Sequence, residues 1–364
     1  MIESIYILYN KKKKRYFLMK IKIIDPCVYP EWDLIASRYF SADIFHTAEW
    51  CRVLKSTYNF SPIYFLALED KTPVALIPLT EVRSLLNGNR AISLPFSDFC
   101  HFLANPGFNF NLMMDQIINY GRQQKWRYVE FRSMNFPGIH PAAQPSEIFF
   151  THDIDLTKSS SELWSSLKDN NRRNIKKAMR TGLKIKFESS WQSMKEFYRL
   201  QVITRKRHGL PPQPLKFFQS VHDEIILKNL GTTVSCYYQN KIIASAIFFN
   251  FNGKALFKFG ASDHRYHHLR PNNLIMWESI QWHREHGCTT LNLGRTELNN
   301  EGLLNYKRLW GAHEQLLKYH RFDFRRDSFV EKKPFITNLP VFSSPFFPEF
   351  LLKIVGNLLY KHFS

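Results

Sequence analysis

Between Phe257 and Gly311 the chain gathers polar residues in an order that suits ligand binding. Phe259-Gly-Ala-Ser-Asp263 closes a strand pattern, and Arg270-Pro-Asn-Asn273 enters a helix pattern. Leu291-Asn-Leu-Gly-Arg-Thr296 reads as a buried strand running into polar residues, and Gly302-Leu-Leu-Asn-Tyr-Lys-Arg-Leu-Trp-Gly311 as a short helix. Open α/β folds bind ligands where strands end and helices begin. Asn272 and Asn273 at a helix N-terminus would offer amides to an anion, or act as ordinary caps. Arg295 is either a ligand-facing guanidinium or half of an ion pair at a strand end. Lys307, beside Trp310, turns its ammonium to a site or to solvent. Other chemistries lack their signatures: there is no HExxH, GxSxG or P-loop. The five cysteines (27, 51, 100, 236 and 288) form no CxxC pair, and His267-His268 and His320 are isolated, so no metal site is expected.

The elements that must position these residues repeat once along the chain. In the first half, Thr47–Ser56 has helical spacing. Strand patterns follow at Ile63–Leu68, Val74–Val82 and Ala91–Pro95, a helix at Asn111–Gln124, and strands at Tyr128–Arg132 and Ile148–Leu156. The second half reads as a helix at Trp191–Arg207, strands at Thr232–Tyr238, Ile242–Phe251 and Lys254–Gly260, and a helix at Asn272–His286 that Gly287 stops. A strand at Leu291–Leu293, a helix at Gly302–Leu309 and a strand at Leu316–Phe324 complete it. Gln239–Lys241 and Asn252-Gly253 are hairpin turns. This repeated order predicts a duplicated α/β unit. Between the halves, the capping box Ser159-Ser-Ser-Glu162 opens one predicted helix with Leu163, Leu167, Ile175 and Met179 on one face, ended by Gly182. From Lys168 to Lys186 there are eight basic residues and one acid, Asp169.

A chain of 364 residues with 44% apolar residues can bury two cores. Its formal charge of +19 favours an anionic partner: nucleic acid, an anionic membrane surface or a phosphorylated substrate. No segment supplies the roughly 18 apolar residues a membrane-crossing helix needs. Cysteine usage points to a reducing, cytoplasmic setting. Residues 1–19 read as a disordered or non-native extension, because the apolar stretch precedes the basic run instead of following it. After 328, prolines at 334, 340, 345 and 348 mark a linker to an amphipathic helix, Glu349–Phe363, suited either to its own domain or to the inner membrane face.

The run GASDHRYHHLRPNNLIMWESI…GCTTLNLGRTELNNEGLLNYKRLWGA resembles the second domain of Fem-like acyltransferases of the GNAT superfamily, the FemAB-related or BioF2-like group. HTAEWCRVLKSTY (46–58), LPFSDFC (94–100) and RRNIKKAMRTGLKI (172–185) are similar to that family's motifs in the same order. The resemblance implies two tandem GNAT-like domains with mixed sheets flanked by helices, at 20–157 and 158–327, followed by the 328–364 tail. It implies transfer of an activated acyl or aminoacyl group to an amine or hydroxyl of a cell-envelope precursor, of peptidoglycan or exopolysaccharide. In that resemblance Lys307 stabilises the oxyanion, and Asp98 is an acid near the acceptor and the proton acceptor. Lys55, Arg205 and Arg207 hold an anionic precursor, with Asn273 and Arg295 also at the substrate. The donor is aminoacyl-tRNA or acyl-CoA, with no metal and no tightly held cofactor. Two departures bear on the donor. The turn Arg270-Pro-Asn-Asn lacks the glycines with which CoA-dependent relatives hold pyrophosphate, and 182–232 is too short for the helical arm of several Fem enzymes. The alternative is a non-catalytic nucleic-acid-binding protein using the basic 168–186 helix.

Overall fold

Three tight hairpins organise the sheets, and each is written in its turn residues. Asp70-Lys71, Gln239-Asn240 and Asn252-Gly253 all have positive φ at both positions, the twist that closes a two-residue antiparallel turn. The computed structural model describes residues 3–10, 15–39, 41–84, 86–133, 143–331 and 347–362. In chain order the strands and helices are β1 Glu3–Asn10, β2 Arg15–Ile24, α1 Trp32–Ser37, α2 Ala48–Tyr58, β3 Ser61–Pro62, β4 Tyr64–Glu69, β5 Thr72–Ile77, β6 Thr80–Val82, β7 Arg90–Ile92, β8 Leu103–Ala104, α3 Asn111–Gln123 and β9 Tyr128–Ser133. There follow β10 Glu147–Asp155, α4 Ser160–Ser166, α5 Asp169–Met179, β11 Lys184–Glu188, α6 Trp191–Arg207, α7 Leu215–Val221, β12 Gly231–Tyr238, β13 Lys241–Phe251 and β14 Lys254–Ser262. The last are α8 Pro271–Glu285, β15 Thr290–Glu297, α9 Glu301–Arg308, β16 His313–Asp323, β17 Ser328–Val330 and α10 Glu349–Leu359.

The chain forms two units, 1–148 with 316–333, and 149–315 with 334–363. In the first, β1-β2-β4-β5-β8 make one sheet, and β16-β9-β7-β6-β3 run as a second series with β17 beside β16. Its core joins Ile21, Phe65, Ile77, Met113, Ile117, Val129 and Phe131. In the second, the order is β11-β12-β13-β14-β15-β10. Its core joins Val234, Ile243, Phe248, Ile275, Ile280, Leu291 and Trp310.

Three expectations are corrected. Residues 3–10 are not a disordered extension: they pair with 15–22 in register, Glu3 opposite Lys22 and Asn10 opposite Arg15, and β2 in turn pairs with β4. An edge strand gains a full ladder of backbone bonds there, and Tyr6 also accepts a hydrogen bond from Gln116 of α3. The boundaries at 157 and 327 are crossed by exchanged strands. Strand β10, read with the first half, pairs with β15, whereas β16, read with the second, pairs with β9. The helix expected over 159–182 is two, because Leu167 and Lys168 are extended (ψ 141 and 149). Lys168 N–H and Asn171 Nδ2 donate instead to the Leu309 carbonyl, at 3.1 and 3.4 Å. Leu163, Leu167 and Ile175 are buried, but Met179 lies exposed. The prolines at 334, 340 and 345 lie outside the described residues.

Helix α8 carries a buried His283, whose Nδ1 pairs with the Ser279 carbonyl at 2.8 Å. Burial pushes its pKa down to about 4. A histidine lowered on folding contributes stability that is complete above its unfolded value, about 6.5, and is lost as pH falls toward the folded one. Denaturant titrations at pH 7 and 5 should therefore show an acid loss from this ring on the order of 2 kcal/mol. His283→Gln should flatten it. An unchanged acid loss in the variant would show that other groups dominate.

Candidate active site

In the second unit two parallel strands pair over only part of their length. Strands β14 and β15 pair only from Lys254–Leu256 to Thr290–Asn292. Past that point β14 continues to Ser262 and leads into α8, while β15 runs on to Glu297. Such a split beyond the carboxyl ends of parallel strands is where α/β sheets hold ligands.

A bulge shapes the β15 side. Thr151 faces Arg295 and Asp153 faces Asn292, so His152 opposes two residues, Leu293 and Gly294. Bulges re-aim side chains and release backbone groups from the ladder. Gly294 has φ +74, which favours glycine. Its N–H donates to Asn292 Oδ1 at 2.7 Å, and Asn292 Nδ2 donates to Thr151 Oγ1 (2.8 Å) and Asp153 Oδ1 (2.9 Å). The Gly294 carbonyl accepts from Lys307 Nζ at 2.7 Å, and the Arg295 carbonyl accepts from the same ammonium at 3.2 Å. Lys307 is only 3% exposed, so its charge sits in the protein and not in solvent.

One acid–base group, His152, feels the charge of this lysine and links it to further titratable groups. His152, fully buried, holds Glu314 through Nε2 at 3.0 Å, and its Nδ1 has no hydrogen-bond partner. Arg308 donates to both Glu314 oxygens, at 2.8 and 2.9 Å. Burial, then the Lys307 charge, lower the His152 pKa, which keeps the ring neutral. The Arg308 guanidinium and His152 hold Glu314 below the usual carboxylate range. Burial raises Asp153 and pushes the Tyr306 phenol up to about 12.

The residues singled out in the sequence fall as follows. Asn273 donates to Asn171 Oδ1 at 2.7 Å, and with His267, Arg270, Pro271, Asn272 and Tyr306 it lines a cavity of about 120 Å³ at the N-terminus of α8. Lys307 follows Tyr306 in α9. Arg295, exposed, lies with its guanidinium 4.4 Å from the Phe149 ring centroid. Asn273, Arg295 and Lys307 thus share one end of the second unit's sheet. Arg205 is drawn elsewhere: its Nη2 donates to Tyr360 Oη at 2.6 Å and its Nε to the Pro211 carbonyl at 3.1 Å. Arg207 is exposed at the end of α6. In the first unit, Lys55 is exposed and paired with Asp25 at 2.9 Å. Asp98 lies half-buried in the 94–100 loop, where Leu94 and Phe96 have φ of 60 and 59. Such strain persists only where surroundings impose it. Arg132 Nη1 donates to the Leu94 and Ser97 carbonyls (3.4 and 3.2 Å), its own carbonyl accepts from Cys100 N–H (2.6 Å), and Tyr319 Oη donates to the Asp98 carbonyl.

Sequence reasoning missed His152, Glu314, Tyr306, Arg308 and Asn292. Only Asn292 left a signal, as a polar residue between Leu291 and Leu293 in a buried strand.

Residues 165–308 match the family model described as an acetyltransferase (GNAT) domain. A lipid II:glycine glycyltransferase of Staphylococcus haemolyticus (strain JCSC1435) is 22% identical over 228 residues, 43% of this chain and 54% of that protein. The chain therefore spans about half the length of the curated relatives it matches. Among solved structures, FemX superposes with a TM-score of 0.66 at 14% identity, covering 79% of this chain and 94% of FemX. A tandem GNAT protein from the clavulanic acid biosynthesis pathway superposes with 0.53 at 7% identity, covering 84% and 98%. The fold is that of tandem GNAT-like domains.

Proposed function

We propose that this chain, a Fem-like acyltransferase of the GNAT superfamily, moves an activated acyl or aminoacyl group onto an amine of a lipid-linked cell-envelope precursor. The likeness of residues 165–308 to a GNAT acetyltransferase domain, and of the chain to lipid II:glycine glycyltransferases, supports this reading over a non-catalytic nucleic-acid-binding role. The observation that carries the reading is the buried Lys307 ammonium, fixed by two carbonyls at the bulge between the antiparallel strands β10 and β15.

In this reading the acceptor nitrogen bonds to the donor's carbonyl carbon, and the carbonyl oxygen becomes an oxyanion. Lys307 lies ready to neutralise that charge without reorganising, because its position is already set. The tetrahedral centre then collapses, the bond to the donor's oxygen or sulfur breaks, and the nitrogen's proton leaves. The proton that the nitrogen sheds ends on the donor's departing oxygen or sulfur. The polar cavity at the start of α8 suits an anionic part of a substrate, since helix N-termini favour negative charge. The acceptor class follows the lipid II named for the relatives.

The test is to incubate the purified chain with radiolabelled aminoacyl-tRNA, or with acyl-CoA, and an amine-bearing lipid II acceptor. Label appearing in the acceptor from either donor supports the reading and identifies the donor. Acceptor left unlabelled by both would overturn it.

A further inference from the structure

Helix α10 is bound to the second unit by one face and leaves another bare. On the bound face, Leu352 is buried and Gly356 sits so close that a Cβ there would stand 2.1 Å from the Pro212 carbonyl oxygen. Tyr360, just past the helix, accepts from Arg205 and donates to the Pro211 carbonyl at 3.1 Å, and the Lys353 ammonium lies 5.8 Å from the Tyr198 ring centroid. These contacts fix the helix's rotation. The face turned away carries Phe350, Leu351, Ile354 and Leu358, which are 62, 39, 48 and 58% exposed. At about 100° per residue these four fall within one arc of roughly 100°. Four large apolar side chains held outward on a rigid helix form a contiguous patch, not scattered surface residues.

Charge, size and length identify what covers the patch. The C-terminal end of α10, with Lys361 exposed, meets the last turn of α6, which carries Arg205, Lys206 and Arg207. The one acid on α10 is Glu349, at the opposite end. The whole chain carries +19. An 11-residue helix is about 16 Å long, too short to span a bilayer but suited to lie in its plane. A single convex helical arc supplies only part of the roughly 800 Å² per partner that a stable protein interface uses. Apolar side chains beside exposed cations match a surface of anionic headgroups over acyl chains.

We infer that the outer face of α10 docks the second unit onto an anionic lipid surface, with Phe350, Leu351, Ile354 and Leu358 entering the interface and Lys361 meeting the headgroups. This goes beyond the transfer reading and does not depend on it.

The test is sedimentation of the full chain with vesicles of phosphatidylcholine, alone or with 30% phosphatidylglycerol, for wild type, Ile354→Ser/Leu358→Ser and Lys361→Glu. The serine positions are exposed, so a melt should show the fold intact. Wild type should bind the anionic vesicles and bind them less at high salt. The double variant should lose about tenfold or more of that binding, and Lys361→Glu should lose chiefly the phosphatidylglycerol dependence. Equal binding by wild type and the double variant, or no binding by either, would overturn the inference. So would self-association of the wild type that the serine substitutions abolish, which would make a second copy the occupant. Transfer to a soluble amine, assayed in parallel without vesicles, reports on the enzymatic reading separately.

Discussion

Lys307→Met should reduce single-turnover transfer, under saturating donor, by about 100- to 1000-fold, the loss found when one oxyanion donor is removed. The effect should fall on turnover more than on substrate affinity, since the charge it meets develops only as the acceptor attacks. The buried position adds a structural cost. Methionine would remove the bonds that the Gly294 and Arg295 carbonyls accept from a charged group, about 1.5–3 kcal/mol each. A solvated lysine would show neither loss. Lys307→Arg should also fail, because a planar fork cannot replace a compact ammonium between two carbonyls 13 and 12 residues upstream. The measurement pairs single-turnover transfer with a denaturant titration. A folded Lys307→Met protein with near-normal transfer would remove this lysine from the chemistry, whatever the stability shows.

Arg132→Met should cost the first unit about 3–5 kcal/mol, the usual penalty for breaking a buried ion pair from one side. Arg132 donates to Glu130 Oε1 through Nε and Nη2, at 2.9 and 2.8 Å, and Glu130 is 2% exposed. Arg321 holds the other Glu130 oxygen, so the variant removes one of the two guanidinium groups on this carboxylate. The same substitution removes the Arg132 bonds to the Leu94 and Ser97 carbonyls in the strained loop that presents Asp98. Urea titration followed by the first unit's tryptophans, Trp32, Trp50 and Trp126, reads the stability loss. Arg132→Lys keeps the charge but not the fork, so it should recover only part. A midpoint unchanged in Arg132→Met would show that the 94–100 loop is held by other contacts.

Much of the architecture was legible in local sequence. The capping box at Ser159 and Glu162, the helix over Trp191–Arg207 and the turn at Asn252-Gly253 all stand where the residues place them. The order of elements and the GNAT-like fold also followed from patterning and motif resemblance. Each such feature is made by residues within a few positions of one another, so composition and spacing carry the information directly. Asn273, Arg295 and Lys307 were legible as polar residues at strand and helix ends.

What the tertiary structure decided lies at long separation. Strands β10 and β16 are apolar enough to serve either sheet, so only the folded ladders assign them to β15 and β9. Leu309 breaks a helix 138 residues upstream by accepting from Asn171 and Lys168. His152 and Glu314 meet across 162 residues. Arg205, legible only as a cation, is committed to Tyr360. Above all, a lysine on a short amphipathic helix looks solvated in one dimension. Its burial at 3% exposure goes with bonds to two carbonyls at and beside a bulge, and a bulge is a mismatch between two strands that neither strand records alone.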